Sequence, residues 1–298
     1  MAEAIEKPFT RADVVSAIEQ NGGKADNLDL TGKRFEEGVS LDGLDLRRIV
    51  LIGAHLEKAS LRDANLEGAL LMHAHLEGAD LGFANLDGAG LEEANLQGAH
   101  LMWANLEGTD LKFAHLERVY LHEARLSLDT QLHEVDWGNY ILGEETEKFF
   151  DGAVHNYRQL KQWYTNAGIY DVAGRFFYRE MEARRKSRHW KAEPHLKLWD
   201  WILRLLCGYG EKAERVIVSA LVLMFGLSVA YFFLGAFSPG TFAGCLYYSI
   251  VSFTAVGYGS WVYPAPTSWA KGFGAAEAAL GVFMMSLFLV TFTRKMTR

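Results

Sequence analysis

The chain has 298 residues, a formal net charge of −7 and a hydrophobic share of 50%. That charge balance argues against a nucleic-acid binder, for which a basic face is expected, and two cysteines, Cys207 and Cys245, make no disulfide framework. The average conceals two compositions: residues before about 200 are polar and rich in charge, whereas 216–293 are almost free of it. At this length two or three domains are expected. The opening Met1-Ala2-Glu3-Ala4-Ile5-Glu6 is acidic and has no apolar core, so no signal peptide is expected.

Residues 10–20 predict a short helix, with Thr10 as cap, Val14, Val15 and Ile18 on one side, and Gly22-Gly23 as its stop. The strongest regularity follows. Leucine occupies every fifth position from Leu41 to Leu126, eighteen in all, and two residues before each stands a small or apolar residue, usually alanine: Ala54, Ala59, Ala64, Ala69 and on to Ala104, then Ala114 and Ala124. A period of five fits neither a helix nor a simple strand. It fits a coil in which five residues make one side of a square and twenty complete a turn, with leucine and alanine stacked inward. At the roughly 4.8 Å spacing of paired strands this gives about 22 Å of rod. The pattern resembles the pentapeptide-repeat family, whose fold is a right-handed quadrilateral β-helix. Leu30 and Phe35 suit a less regular opening turn, and Leu132 and Trp137, shifted by one residue, a closing cap.

Counting by twenty assigns outward columns. Phe83 and Trp103 share one, Gly68, Gly88 and Gly108 another, and His55, His75, Asn95 and His115 a third. The plain reading of the histidine column is a solvated stack; the sharper one is a pH- or metal-responsive surface at His55, His75 and His115. The aromatic pair reads either as a subunit contact or as a patch covered by the N-terminal segment. Pentapeptide-repeat proteins also include acidic DNA mimics, a reading that the membrane segments below make the weaker one.

From about Glu144 to Lys186 the pattern turns helical, with Phe150, Val154, Tyr157, Leu160 and Tyr164 at three- and four-residue steps, a break at Asn166-Ala167-Gly168, and a second run through Val172, Phe176, Phe177, Glu180 and Met181. This predicts an antiparallel helical hairpin, similar to one tetratricopeptide-like unit. Arg184-Arg185-Lys186-Ser187-Arg188 is a basic cluster that reads either as a solvated helix end or, this close to the apolar segments, as a contact for anionic headgroups. His195 to Leu206 is amphipathic, carries Trp199 and Trp201, and is expected to lie in a membrane interface.

Val216–Phe237 and Ala270–Phe292 are each long enough to span a bilayer. Arg204, Lys212 and Arg215 precede the first and Arg294, Lys295 and Arg298 follow the second, with no lysine or arginine between Arg215 and Lys271. The positive-inside rule then places both termini in the cytoplasm of a multi-pass protein of the cytoplasmic (inner) membrane. Thr241–Phe253 is too short to cross and reads as a re-entrant pore helix. It leads into Thr254-Ala255-Val256-Gly257-Tyr258-Gly259, where glycines at alternate positions permit the positive-φ backbone that turns successive carbonyls toward one axis.

The stretch from about Ala213 to Arg298 resembles the two-transmembrane potassium channels. The resemblance implies a homotetramer around a filter of stacked carbonyl rings, with potassium held at the carbonyls of Ala255, Val256, Gly257 and Tyr258. It also implies aromatic support of Tyr258 by Tyr247 and Tyr248, a hinge at Gly281, and a hydrophobic gate among Met285, Phe288, Leu289 and Phe292. Two departures stand out: Ala255 replaces the threonine whose hydroxyl completes the innermost site, and Ser260 replaces the usual aspartate after Gly259. Glu277, an intramembrane carboxylate, is expected to find a partner behind the filter.

The expected architecture is a mixed fold: an N-terminal helix and cap (1–27), a pentapeptide-repeat β-helix (28–140), a cytoplasmic helical hairpin (141–194), an interfacial helix (195–212) and an α-helical pore domain (213–298). No nucleophile, metal cage or phosphate loop is legible, so passive potassium conduction is expected rather than catalysis. No cofactor is expected beyond the permeant ion, and the partners expected are three further copies and the lipid bilayer, with no nucleic acid. Control is expected to reach the pore from the N-terminal side. The rival readings are a non-selective cation channel and a membrane-anchored scaffold with a silent pore.

Overall fold

The computed structural model describes residues 7–188, 194–237, 240–255 and 266–296. It divides into two compact units, Met1–Ser187 and Arg188–Arg298.

In the first unit each pentad closes a tight turn. The amide of Ala54 donates to the Leu51 carbonyl (3.1 Å) and that of Ala64 to Leu61 (3.2 Å). The third residue of each turn takes positive φ, which suits Gly53 and Gly68, but Phe83 (φ 60°), Glu93 (56°) and Trp103 (63°) adopt it too. The glycine and aromatic columns therefore lie on different corners of the coil but hold the same position within the pentad, occupied by different residue types. Between corners one residue is left to pair. It makes a parallel bridge to the residue twenty positions on, in four columns: Ser40–Ser60–Asp80–His100–Tyr120, Asp45–Asn65–Asn85–Asn105–Arg125, Val50–Leu70–Gly90–Asp110 and His55–His75–Asn95–His115. Four columns are the four sides of a coil. Among the described residues this leaves single bridges rather than extended strands, since a side is one pairing residue long.

The leucines from Leu46 to Leu106 and the alanines from Ala54 to Ala104 are all but sealed from solvent, at 0–1% exposure. Where Thr109 takes an alanine position, its hydroxyl donates to the Leu86 carbonyl (2.8 Å), so its buried polar atom is satisfied. Asn85 donates to the Asn65 side chain and Asn105 to Asn85, each at 3.1 Å, forming an amide ladder along one edge. An interior this narrow has no space for a longer side chain. Ala84→Leu is expected to cost about 1–3 kcal/mol by overpacking, read as a lower melting temperature of this unit by circular dichroism.

Both ends depart from the twenty-residue register by one residue: Asp29 pairs with Val50 and Arg34 with His55, and at the other end Asp110 with Gln131 and His115 with Asp136. At the opening, α1 (Arg11–Gln20) starts in a capping box between Thr10 and Asp13 and buries Val14. Phe9 bridges Phe35, and Arg11 donates to the carbonyls of Ser40 (2.9 Å) and Asp42 (3.1 Å).

At the far end, a short α2 (Gly143–Thr146) leads into α3 (Phe150–Asn166) and α4 (Tyr170–Ser187). The sequence pattern expects one helix from Glu144; the chain instead makes a single turn and restarts at Phe150. The hairpin then closes the open core. Trp137 Nε1 donates to the Tyr164 hydroxyl (2.7 Å), which donates to the Leu132 carbonyl (2.8 Å), and Trp137 and Tyr164 both pack on Phe176. Glu144 is buried, accepting from the Leu121 amide (2.6 Å) and Asn156 (2.8 Å); burial holds its carboxyl above the ordinary carboxylate range despite these bonds. The boundary expected at residue 140 thus does not separate independent bodies: coil and hairpin share one core as far as Ser187.

In the second unit, α5 (Pro194–Cys207) exposes Leu198, Trp199, Trp201 and Leu205 while Asp200 turns inward to pair with Arg188. A tight 3-10 turn leads to α6 (Ala213–Phe233), then α7 (Phe242–Phe253) and α8 (Ser268–Met296). Helices α6 and α8 are long and apolar enough to cross a membrane, and only 17% and 22% of their most apolar windows are buried within the chain. A soluble core helix would hide that surface, so the two helices present it outward as membrane spans do.

Candidate pore site

Helix α7 is capped by Thr241, whose hydroxyl accepts from the Gly244 amide, and lies between the two long helices. The buried positions of α8 are Ala270, Gly274, Glu277, Gly281, Met284 and Thr291, in alternating three- and four-residue steps with one step skipped, which is one face of a helix. That face turns toward α6 and α7.

Glu277, 3% exposed, accepts from the hydroxyl of Tyr231 on α6 (2.9 Å) and from that of Ser249 on α7. The Ser249 hydroxyl also lies 2.9 Å from the Met224 carbonyl of α6. One carboxylate thereby ties three helices together at a level five residues before Thr254. One turn further along α8, a Cβ on Gly281 would overlap the Phe253 carbonyl oxygen and stand 3.1 Å from the Phe253 Cα. The sequence suggests a hinge at this glycine. The structure shows a second requirement, close backbone approach to the last turn of α7.

The other expected site residues sort clearly. Tyr248 is buried, donates to the Ala270 carbonyl (2.9 Å) and packs edge-on against Tyr231 (5.4 Å) and Phe237 (5.1 Å). Its hydroxyl braces α8, and Tyr247, 48% exposed, stands on the open side of α7; Tyr258, which both are expected to support, lies outside the described residues. The Thr254 hydroxyl bonds back to the Ile250 carbonyl (2.7 Å). Ala255 has φ 54°, so the left-handed backbone begins at a non-glycine residue. Val256, Gly257, Tyr258 and Gly259 lie outside the described residues. Of the residues expected to form a gate, Met285, Leu289 and Phe292 are exposed along one stripe, whereas Phe288 packs against the core that includes Val216 and Met284. Phe288 is therefore turned toward its own subunit, stacked on Phe292 at 5.6 Å.

On the coil, His55 and His75 stack with parallel rings, centroids 4.5 Å apart, whereas His115 lies beyond Asn95 and pairs with Asp136 (3.3 Å). The three histidines thus do not form one cluster. Phe83 and Trp103 stack nearly parallel at 6.1 Å and remain 49% and 50% exposed. Since α1 packs at the opening turn, the expected alternative of an N-terminal cover for this pair does not hold among the described residues. Sequence reasoning missed the Tyr231 and Ser249 partners of Glu277, although hydroxyls in otherwise apolar helices were the available signal.

Residues 217–298 match the family model described as Ion channel, and residues 37–68, 69–108 and 99–128 match the model of Pentapeptide repeats. The chain joins an ion channel domain to a pentapeptide-repeat domain. Among solved structures, a pentapeptide repeat protein of the Arabidopsis thaliana thylakoid lumen is 30% identical, over 33% of this chain and 64% of that one, with a TM-score of 0.26. Rfr23 from the cyanobacterium Cyanothece 51142 is 35% identical over 38% of this chain and 62% of its own, with a TM-score of 0.22. The chain thus spans a little under two thirds of either protein. A pentapeptide repeat protein from Nostoc PCC 7120 is 27% identical over 44% of this chain and 98% of its own, with a TM-score of 0.19. No curated protein matched.

Proposed function

We propose that this chain is the subunit of a homotetrameric, potassium-selective channel of the cytoplasmic membrane, with both termini in the cytoplasm and the pentapeptide repeat as a regulatory or assembly domain. The carrying observation is the short capped helix α7, pinned between two membrane-length helices by Glu277 and Gly281 and running directly into Thr254–Gly259. A helix ending there points its negative end toward the ion path. One chain supplies one strand of a carbonyl ring, so four are needed to replace the hydration shell of an ion. Potassium is held by the carbonyls of Ala255, Val256, Gly257 and Tyr258, Tyr247 supports Tyr258, and Met285, Leu289 and Phe292 line the inner end of the path.

Reversal potentials of the purified protein in planar bilayers, with potassium on one side and sodium on the other, test this reading. A shift toward the potassium equilibrium potential is expected, and Gly257→Asp should abolish current. A potential near zero would replace this reading with the non-selective channel that Ala255 and Ser260 favour. Absence of current from the unmodified protein would leave the silent scaffold. Ala255→Thr restores the innermost hydroxyl ring and is expected to alter conductance while keeping the sign of the potential.

A further inference from the structure

The twenty-residue register brings His55 and His75 onto adjacent turns as a bridged pair, with their rings within 5° of parallel. Each has a carboxylate two residues on: His55 Nδ1 lies 3.0 Å from Glu57 Oε1 and His75 Nδ1 3.5 Å from Glu77 Oε1. Ligand atoms of His55, Glu57 and His75 all fall within 4.8 Å of one another. Glu77 adds an independent sign. Its Oε1 accepts from Asn95 Nδ2 (2.6 Å), but its Oε2 is hidden from solvent and has no hydrogen-bond partner among the described residues. A hidden carboxylate oxygen without a protein donor is one that a bound cation or a water satisfies.

We propose that His55, Glu57 and His75 bind a divalent transition-metal ion of the zinc class, with Glu77 as the adjoining carboxylate. Two imidazoles and a carboxylate suit zinc, nickel or copper rather than magnesium or calcium, which take oxygen ligands. Four ligands around such an ion, each about 2.1 Å away, stand roughly 3.4 Å apart. The widest separation, 4.8 Å at most, need only contract by up to about 1.4 Å, and the partial exposure of the side chains leaves them free to do so. Arg34 stands one turn earlier in the same column and its charge works against the ion, but two carboxylates outweigh it. The site belongs to the repeat domain alone and stands or falls independently of conduction.

The test is titration of the full-length, detergent-solubilised protein with zinc chloride by isothermal calorimetry, with cobalt(II) absorption as the ligand signature. The variant pair His55→Asn with His75→Asn copies the asparagine that this column already carries at Asn95 and so preserves the fold. The expected result is saturable binding near one ion per chain. Losing an outer-shell partner alone costs 10–100-fold in metal sites, so losing both imidazoles should weaken binding at least about 100-fold and remove the cobalt nitrogen signature. His115→Asn should leave binding unchanged. Absence of saturable binding, or equal binding by the double variant, overturns the proposal.

Discussion

Gly281→Ala is expected to remove most ion flux. The added methyl would occupy the place of the Phe253 carbonyl oxygen, so α8 and the last turn of α7 must move apart by more than about an ångström. Overpacking of this kind costs about 1–3 kcal/mol, and here the displaced element is the turn leading directly into Thr254. In the proposed tetramer the displacement would be repeated in each subunit. Flux from proteoliposomes should fall more than about tenfold, the equivalent of 1.4 kcal/mol, while the melting temperature of the repeat unit stays unchanged. Gly272→Ala is the control: nothing lies within 4 Å of a Cβ at that position on the same helix, so the substitution should leave flux intact. Equal flux from both variants would remove the close-contact argument.

Glu277→Ala should have the second largest effect. It removes the bonds that Tyr231 and Ser249 make to α8 in a buried site. Losing a buried hydrogen bond to a charged group costs about 1.5–3 kcal/mol. Thermal unfolding of the solubilised channel should shift down by several degrees, and reversal potentials should move toward zero as α7 loosens. Glu277→Gln retains an acceptor of the same size and is expected to recover most of both readouts. If Glu277→Ala and Glu277→Gln behave alike, charge rather than geometry is what the three helices require.

The coil was legible because every inward position meets the same kind of neighbour one turn away. Leu81 sees Leu61 and Leu101, so the pattern repeats visibly along the chain. Its corners were less legible. Gly88 and Trp103 hold the same backbone conformation, and no composition rule links them. The closing hairpin was readable as two helices, yet its attachment through Trp137, Tyr164 and the Leu132 carbonyl depends on hydroxyl and indole bonds across more than twenty residues of sequence. In the second unit the two membrane-length helices stood out from the absence of charge. The tie from Glu277 to Tyr231 and Ser249, and the crowding at Gly281, arise only when three helices meet, so the sequence showed unusual residues without showing their use.

The square cross-section gives the coil an angular property as well as a length. Deleting one five-residue unit from its middle, such as 81–85, would keep every inward leucine and alanine in phase, because any side of the square can follow any other. The coil would shorten by only a quarter of a turn, but everything beyond the deletion would be re-aimed by about ninety degrees, including the hairpin seated on Trp137. Evolution can thus adjust this protein in two independent ways: whole twenty-residue turns set how far the closing helices are carried, and single pentads set the direction in which they are presented.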